Sequence, residues 1–244
     1  RNIVVPDNLE SYARRDTSHV DSDQRPAQEQ YDRFITIVKF GRECGWDNQT
    51  IHAEGPFLMA DPGVQFIFLR ASRDLLAMAQ HLGMDMAVDE IRGWVDRVEA
   101  GSDFLWNEEV GGYCARDLRT GQFSDAITNA STLSFFADVG SPEQRASMAA
   151  HCRRILDASS FGMPSWDPDH PAFESQRYWR GPVWAIMNHM VISGLEDAGL
   201  ADLAARVRTD TINLIDERGM AEYFDPRDGD GLGGMDFSWT AAIY

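Results

Sequence analysis

The sequence predicts an all-α protein built of helical hairpins packed in rings or layers, with one small β-hairpin inserted. Three observations carry that reading. Apolar residues recur at steps of three and four, helix start signals stand where the periodicity begins, and helices alternate with short loops. About eight helices fit the pattern, near 24–43, 62–82, 85–105, 127–138, 142–157, 179–198, 200–217 and 236–244.

Each element has a local reason. Arg25-Pro26 marks the entrance to the first helix, and Asp61-Pro62 sets a capping acid before a first-turn proline in the second. From there Val64, Ile67, Ala71, Leu75, Met78 and Leu82 fall on one face. Ala87, Ile91, Trp94, Val95 and Val98 form the stripe of the next helix. Gly112 to Asp117 and Gly121-Gln122-Phe123 flank Leu118-Arg119-Thr120, which reads as a β-hairpin. Ser141-Pro142-Glu143-Gln144 is a capping box with proline at the first helical position. Leu200, Leu203, Ala204, Val207, Leu214 and Ile215 share a face, and Gly219 is the stop signal after them. The segments 1–23, 45–60, 158–178 and 219–235 lack periodicity and hold Pro, Gly, Asp, Asn, His and Trp, the loops where a site would be built. Without an internal linker, fixed repeat or low-complexity stretch, residues 1–244 read as one domain.

Composition narrows the function. With 43% hydrophobic and 25% charged residues the chain is an ordinary globular one, and a net charge of −17 argues against nucleic acid or an anionic membrane as partner. Cys44, Cys114 and Cys152 lie far apart without metal-ligand spacing, so reduced thiols in a cytoplasmic protein are expected, with no metal and no cofactor. No run of ~18 apolar residues and no signal-like segment is present.

Three groups of residues could carry chemistry. Glu222 follows the Gly219 stop, beside Tyr223, Phe224 and Pro226, where a carboxylate could hold a water against a sugar ring; a plain surface glutamate would look the same. Tyr178, Trp179, Gly181 and Trp184 form an aromatic block suited either to stacking on sugar C–H faces or simply to a core. Arg25, with Tyr31 about one and a half turns on, could clamp a small carboxylate, or Arg25 could pair locally with Asp21, Asp23 or Glu29. His52 and Glu54 rank lower. Gly229, Gly231, Gly233 and Gly234 have no preceding strand or following Gly-Lys-Ser/Thr to make a nucleotide loop, and Asp225, Asp228, Asp230 and Asp236 do not have EF-hand spacing.

Two strings, Tyr178-Trp179-Arg180-Gly181-Pro182-Val183-Trp184 and Glu222-Tyr223-Phe224-Asp225-Pro226 with its Gly-rich loop and Phe237-Ser238-Trp239-Thr240, resemble glycoside hydrolase family 63 and its trehalase-like relatives. The stretch from Ser18 to Phe34 resembles the bacterial branch acting on glucosylglycerate and mannosylglycerate. The resemblance implies an (α/α)6 toroid, here partial, with about eight of roughly twelve helices. It implies inverting hydrolysis of an α-glycosidic bond, with glucosylglycerate the first substrate and mannosylglycerate the second. It also implies Glu222 as general base, Tyr178, Trp179, Gly181 and Trp184 at the floor of the sugar subsite, and Arg25 with Tyr31 on the glycerate carboxylate. Arg180 has a structural place, and the Gly-rich loop lies near the substrate entrance. The family's general-acid aspartate has no good match: Gly45-Trp46-Asp47-Asn48 comes nearest, but Gln49-Thr50 stands where Ser-Pro belongs. The acid is therefore expected upstream of Arg1, with Asp47 as fallback. An inverting α-glucosidase for a neutral disaccharide such as trehalose or kojibiose, a non-catalytic glycan-binding barrel and a helical-repeat interaction module are the rival readings; a homo-oligomer stays open.

Overall fold

The computed structural model describes residues 3–244, and helices make most of it. The helices are α1 Gln28–Glu43, α2 Asn48–Glu54, α3 Pro62–His81, α4 Asp85–Ala100, α5 Asn129–Thr132, α6 Pro142–Ala158, α7 Ala185–Asp197, α8 Ala201–Arg218 and α9 Ser238–Ile243. Three two-residue strand pairs join them. β1 Met59–Ala60 lies antiparallel to β4 Arg116–Asp117, β2 Trp106–Asn107 to β3 Gly112–Tyr113, and β5 Tyr223–Phe224 to β6 Gly231–Leu232. α3 packs on α4 and α7 on α8 as two helical hairpins, the arrangement expected from the alternation of helices and short loops.

The start and stop signals act as read. Asp61 accepts from the Val64 N–H at 3.0 Å ahead of Pro62, and Ser141 accepts from Gln144 while Gln144 returns a bond to the Ser141 N–H. Gly219 ends α8 at φ 81°, its N–H reaching the Ile215 carbonyl. Several boundaries differ, each for a physical reason. The first helix begins at Gln28 rather than near 24, because Pro26 disfavours the helical region for Arg25, which sits at φ −114°, ψ 165°. The helix expected over 179–198 begins at Ala185, because Val183 bridges Phe224 through two backbone bonds of 2.8 and 2.9 Å. The one expected over 127–138 is α only through Thr132 and then continues as turns to Asp138, which has φ 51°. α2 is a helix where a loop was expected, capped by Asp47 at one end and held at the other by Arg119. That guanidinium donates to the carbonyls of His52, Ala53 and Gly55 at 3.0–3.2 Å, a cation placed on the negative end of the helix. The predicted hairpin survives as a turn between Asp117 and Gln122, but its strand β4 pairs with β1 from a distant segment.

Burial follows the predicted stripes on α4 and α8: Ile91, Val95, Leu203, Ala204, Val207, Leu214 and Ile215 are all buried. α3 is different. Its inward face is Phe66, Leu69, Ser72 and Ala79, while Val64, Met78 and Leu82 of the predicted stripe are 72%, 60% and 66% exposed. This helix is apolar on two faces, the pattern of a helix set between two layers, and the described residues supply one of them.

The thiols are unpaired, and burial pushes those of Cys114 and Cys152 up to about 12. The thiolate is the reactive form and is scarce at neutral pH in both. Brief alkylation of native protein at pH 7.5 is expected to label half-buried Cys44 and spare the other two, as peptide mass mapping would show. Equal labelling of all three would contradict the packing around α6.

Candidate active site

Three segments converge on Glu222. The first is the end of α8, whose Gly219 stop turns the chain so that Glu222 directly precedes β5. The second is the turn after β6, where the Glu222 N–H donates to the Gly234 carbonyl at 2.8 Å and the Gly234 N–H returns to Glu222 Oε2 at 3.0 Å. The third is the 3-10 turn Ser22–Gln24 with Arg25, brought in from nearly two hundred residues away. Arg25 donates from Nη1 to Glu222 Oε1 at 3.1 Å and from Nη2 to Oε2 at 2.7 Å. Side-chain exposures of 12% and 8% make this a buried ion pair.

The pairing decides between the two readings of Arg25 in an unexpected way. Its partner is the candidate base itself, not Asp21, Asp23 or Glu29. Two tyrosine rings flank the guanidinium, Tyr178 at 5.1 Å and Tyr223 at 5.8 Å, adding cation–π attraction. Arg25 Nε is buried and has no acceptor among the described residues. A carboxylate offers about four lone-pair positions, and three donors occupy them here, two on Oε2 and one on Oε1. The acceptor position left open is therefore on Oε1, where a water could be held.

The aromatic block forms one stack. Trp179 lies on Trp184 with ring centres 3.9 Å apart and 5° between planes, and Trp184 in turn packs on Tyr223 at 4.7 Å. Trp184 is 2% exposed and its indole N–H is spent on the Tyr178 carbonyl; Trp179 is 37% exposed, with its outer face open. Tyr178 takes a left-handed backbone, φ 37°, which lets its N–H reach the Gln24 carbonyl, and burial raises its phenol above the ordinary tyrosine range. Gly181 is needed for a close approach within the chain: a Cβ there would lie 2.2 Å from the Glu174 carbonyl oxygen. Arg180 donates to the Ala172 carbonyl, which is a structural use.

Tyr31 stands in a neighbouring cluster. Its ring stacks on Tyr12 at 5.8 Å and carries the Arg14 guanidinium at 4.4 Å; Arg14 is itself bidentate on Asp16 at 3.1 and 2.6 Å. Asp16 lies close enough to act electrostatically on both Arg25 and Tyr178, so this cluster borders the Glu222 site. Arg14, Asp16 and Gln24 were not singled out: the first two lie in an aperiodic segment, and Gln24 stands within the Ser18–Phe34 stretch without a chemical signal of its own. Asp47, the fallback acid, is unsuited to proton donation. It caps α2 by accepting from the Thr50 N–H at 2.7 Å, which holds its carboxyl below the usual range, on the ionised side. Asp225 is also committed, with Ser175, Gln176 and the Arg227 N–H on its oxygens. No group of three or more His, Cys, Asp or Glu able to hold a metal exists among the described residues, and none of their helices is long and apolar enough to cross a membrane.

The buried pair sets a stability test. Replacing Arg25 by Met leaves a buried carboxylate without its counter-ion and is expected to cost about 3–5 kcal/mol in denaturant unfolding. Adding Glu222→Gln should recover part of that loss, so that the double variant falls short of the sum. Strict additivity would show that the two side chains do not pair in solution.

The chain is similar to known proteins along nearly its whole length. Residues 6–240 match the family model described as the mannosylglycerate hydrolase MGH1-like glycoside hydrolase domain. Mannosylglycerate hydrolase MGH1 of Selaginella moellendorffii is 42% identical over 240 residues, covering 98% of this chain and 49% of the relative. The mannosylglycerate hydrolase of Thermus thermophilus is 42% identical over 242 residues, covering 98% and 57%, and the glucosylglycerate hydrolase of Mycolicibacterium hassiacum is 27% identical over 253, covering 98% and 55%. A crystal structure of the family 63 mannosylglycerate hydrolase from Thermus thermophilus in complex with Tris and D-glycerate superposes with a TM-score of 0.94 at 40% identity, over 98% of this chain and 58% of that one. Neutral trehalase Nth1 from Saccharomyces cerevisiae, at 16% identity and TM-score 0.62 over 90% and 43% of the two chains, shares the fold alone. The chain thus spans about half the length of the curated relatives it matches. It has the helical architecture of the (α/α)-barrel glycosidases and belongs to the MGH1-like glycoside hydrolase domain family.

Proposed function

We propose that the protein carrying this chain hydrolyses the α-glycosidic bond of a sugar linked to glycerate, with inversion of configuration. The observation that carries the reading is the Glu222 carboxylate, buried, fixed by three donors and left with one open acceptor position beside an aromatic stack. A general base needs that arrangement, because the water it deprotonates must be held at one defined point. Trp179 offers the exposed ring for the sugar face, with Trp184 and Tyr223 as its support and Tyr178 at the edge. Gly181 contributes by keeping that segment close to Glu174. Inverting hydrolysis also needs a carboxylic acid roughly 6.5–9.5 Å from the base. Asp47, the nearest match to the family's acid loop, is committed to the α2 N-cap, so we assign that acid to a part of the protein outside these residues, which span about half the length of the relatives.

For the aglycone, Arg25 and Tyr31 are the proposed recognition pair, with the Arg14–Asp16 pair between their surroundings. Substrate carboxylate would meet an outward Nη N–H of Arg25 that is not directed at Glu222, with the Tyr31 hydroxyl as second donor. The named relatives at 42% identity act on mannosylglycerate, which makes that the sugar to test before glucosylglycerate. A cytoplasmic setting accompanies this reading, supported by three free thiols.

In the complete protein, Glu222→Ala is expected to lower turnover of mannosylglycerate by about 10²–10⁴-fold. Normal turnover would end this reading. Early NMR spectra of the wild-type reaction should show the β-anomer of the released sugar first; an α-anomer would overturn inversion. Arg25 cannot distinguish acidic from neutral substrates cleanly, because its removal also frees Glu222. Tyr31→Phe is the better probe: it should raise KM for the glycerate glycoside and leave a neutral glycoside unchanged. Equal effects on both would favour the disaccharide reading.

A further inference from the structure

Gln24 has no assigned role, yet it joins every part of the Glu222 site. Its carbonyl oxygen accepts from the Tyr178 N–H at 3.1 Å and from the Tyr223 hydroxyl at 3.0 Å, which ties its backbone to the aromatic wall. Its side-chain Oε1 accepts from the Gly233 N–H at 2.9 Å. Gly233 precedes the residue whose N–H binds Glu222 Oε2, so the two ends of the Gln24 residue connect the wall to the turn that orients the carboxylate. Among the described residues, no other group from outside the segment 219–237 is hydrogen-bonded to the backbone of 231–235.

That turn tolerates little displacement. Gly233 stands at φ 73°, and a Cβ on it would come within 2.5 Å of Glu222 Oε2, so the backbone already passes against the carboxylate. If the turn moved outward, Gly234 N–H would leave Oε2 and the carboxylate would keep only its two contacts to Arg25. A long side chain fixes an anion less closely than a backbone donor does, so Arg25 alone would leave Glu222 more freedom. Two adjacent residues thus hold Glu222 from two sides, Arg25 directly and Gln24 through the turn.

We propose that Gln24 is a positioning residue for Glu222, acting through Gly233 and Gly234 to keep the open lone pair of Oε1 facing the attacking water. This rests on Glu222 being the general base. A misplacement of about 1 Å near reacting atoms costs on the order of 10²-fold in rate, and such a loss falls on kcat rather than on binding.

The experiment uses the complete protein and mannosylglycerate or whichever glycerate glycoside it turns over. Gln24→Met keeps the length and removes the acceptor; Gln24→Glu restores an acceptor oxygen at the same reach. Gln24→Met is expected to lower kcat by about 10–100-fold with KM within about threefold of wild type, and Gln24→Glu to recover most of that kcat. A Tm measured on each variant separates a folding defect from mispositioning. The proposal is overturned if Gln24→Met retains wild-type kcat, if its loss appears in KM alone, or if Gln24→Glu is no better than Gln24→Met at equal Tm. Glu222→Ala serves as the control: if it keeps turnover, the general-base reading fails and this one with it. If Glu222→Ala is inactive while Gln24→Met is unimpaired, only the role of Gln24 falls.

Discussion

The ion pair between Arg25 and Glu222 is the constraint around which the site is arranged. It spans 197 residues of sequence and joins the segment before α1 to the segment after α8. Two desolvated charges are costly to bury, and the neighbours of the pair offset part of that cost. Tyr178 and Tyr223 shelter the guanidinium, the Gly234 N–H serves Oε2, and Arg177 donates to the Arg25 carbonyl at 2.8 Å. Pro26 is the local cause of the geometry. It disfavours the helical region for Arg25, which stays extended just ahead of α1 with its side chain on Glu222.

The aromatic residues divide their work according to burial. A ring fully enclosed by its neighbours cannot meet a ligand, but it fixes the plane of the ring stacked on it. Trp184 does this for Trp179, and its own position is set by the Tyr178 carbonyl and by Tyr223. The hydroxyl of Tyr223 then returns to Gln24, so the stack and the carboxylate share one framework. The stack and Glu222 are thus connected through Gln24 and Gly233 by hydrogen bonds of ordinary length.

Much of the fold was legible because helices declare themselves locally. The caps at Asp61, Ser141 and Gly219 and the stripes on α4 and α8 depend on neighbours within a turn or two. Short strands do not: β5 and β6 are two residues each, and pairing across the loop 225–230 leaves no periodicity to read. The outward stripe of α3 shows a second limit. Spacing reveals that Val64, Met78 and Leu82 share a face, but a helix apolar on both sides gives no sign of which side this chain covers. The curated relatives are about twice as long, so a second layer on that face is a matter for the whole protein. At the site, Glu222, Tyr178, Trp179 and Trp184 were found through motif strings. Arg25 was found for a carboxylate on the substrate and turned out to hold one in the protein, since sequence separation conceals such pairs. Gln24 lay inside the Ser18–Phe34 stretch, but its contact was not legible there, because a side-chain acceptor for one backbone N–H has no spacing rule.

The Gly-rich stretch after Phe224 shows a second use of glycine beside its conformational freedom. Steric demand accounts for two of its glycines. Gly231 sits where a Cβ would meet the Ala221 side chain at 2.9 Å, and Gly233 where it would meet the Glu222 carboxylate. Both glycines let the backbone pass close to the segment that carries Glu222, and close passage is what allows a backbone N–H to bind a carboxylate at 3.0 Å. A backbone donor has no rotamer to lose and no charge to desolvate, so it fixes an anion with less freedom than a side chain would. The glycines therefore serve the close approach of backbone to carboxylate, on the side of Glu222 opposite the contacts that Arg25 makes.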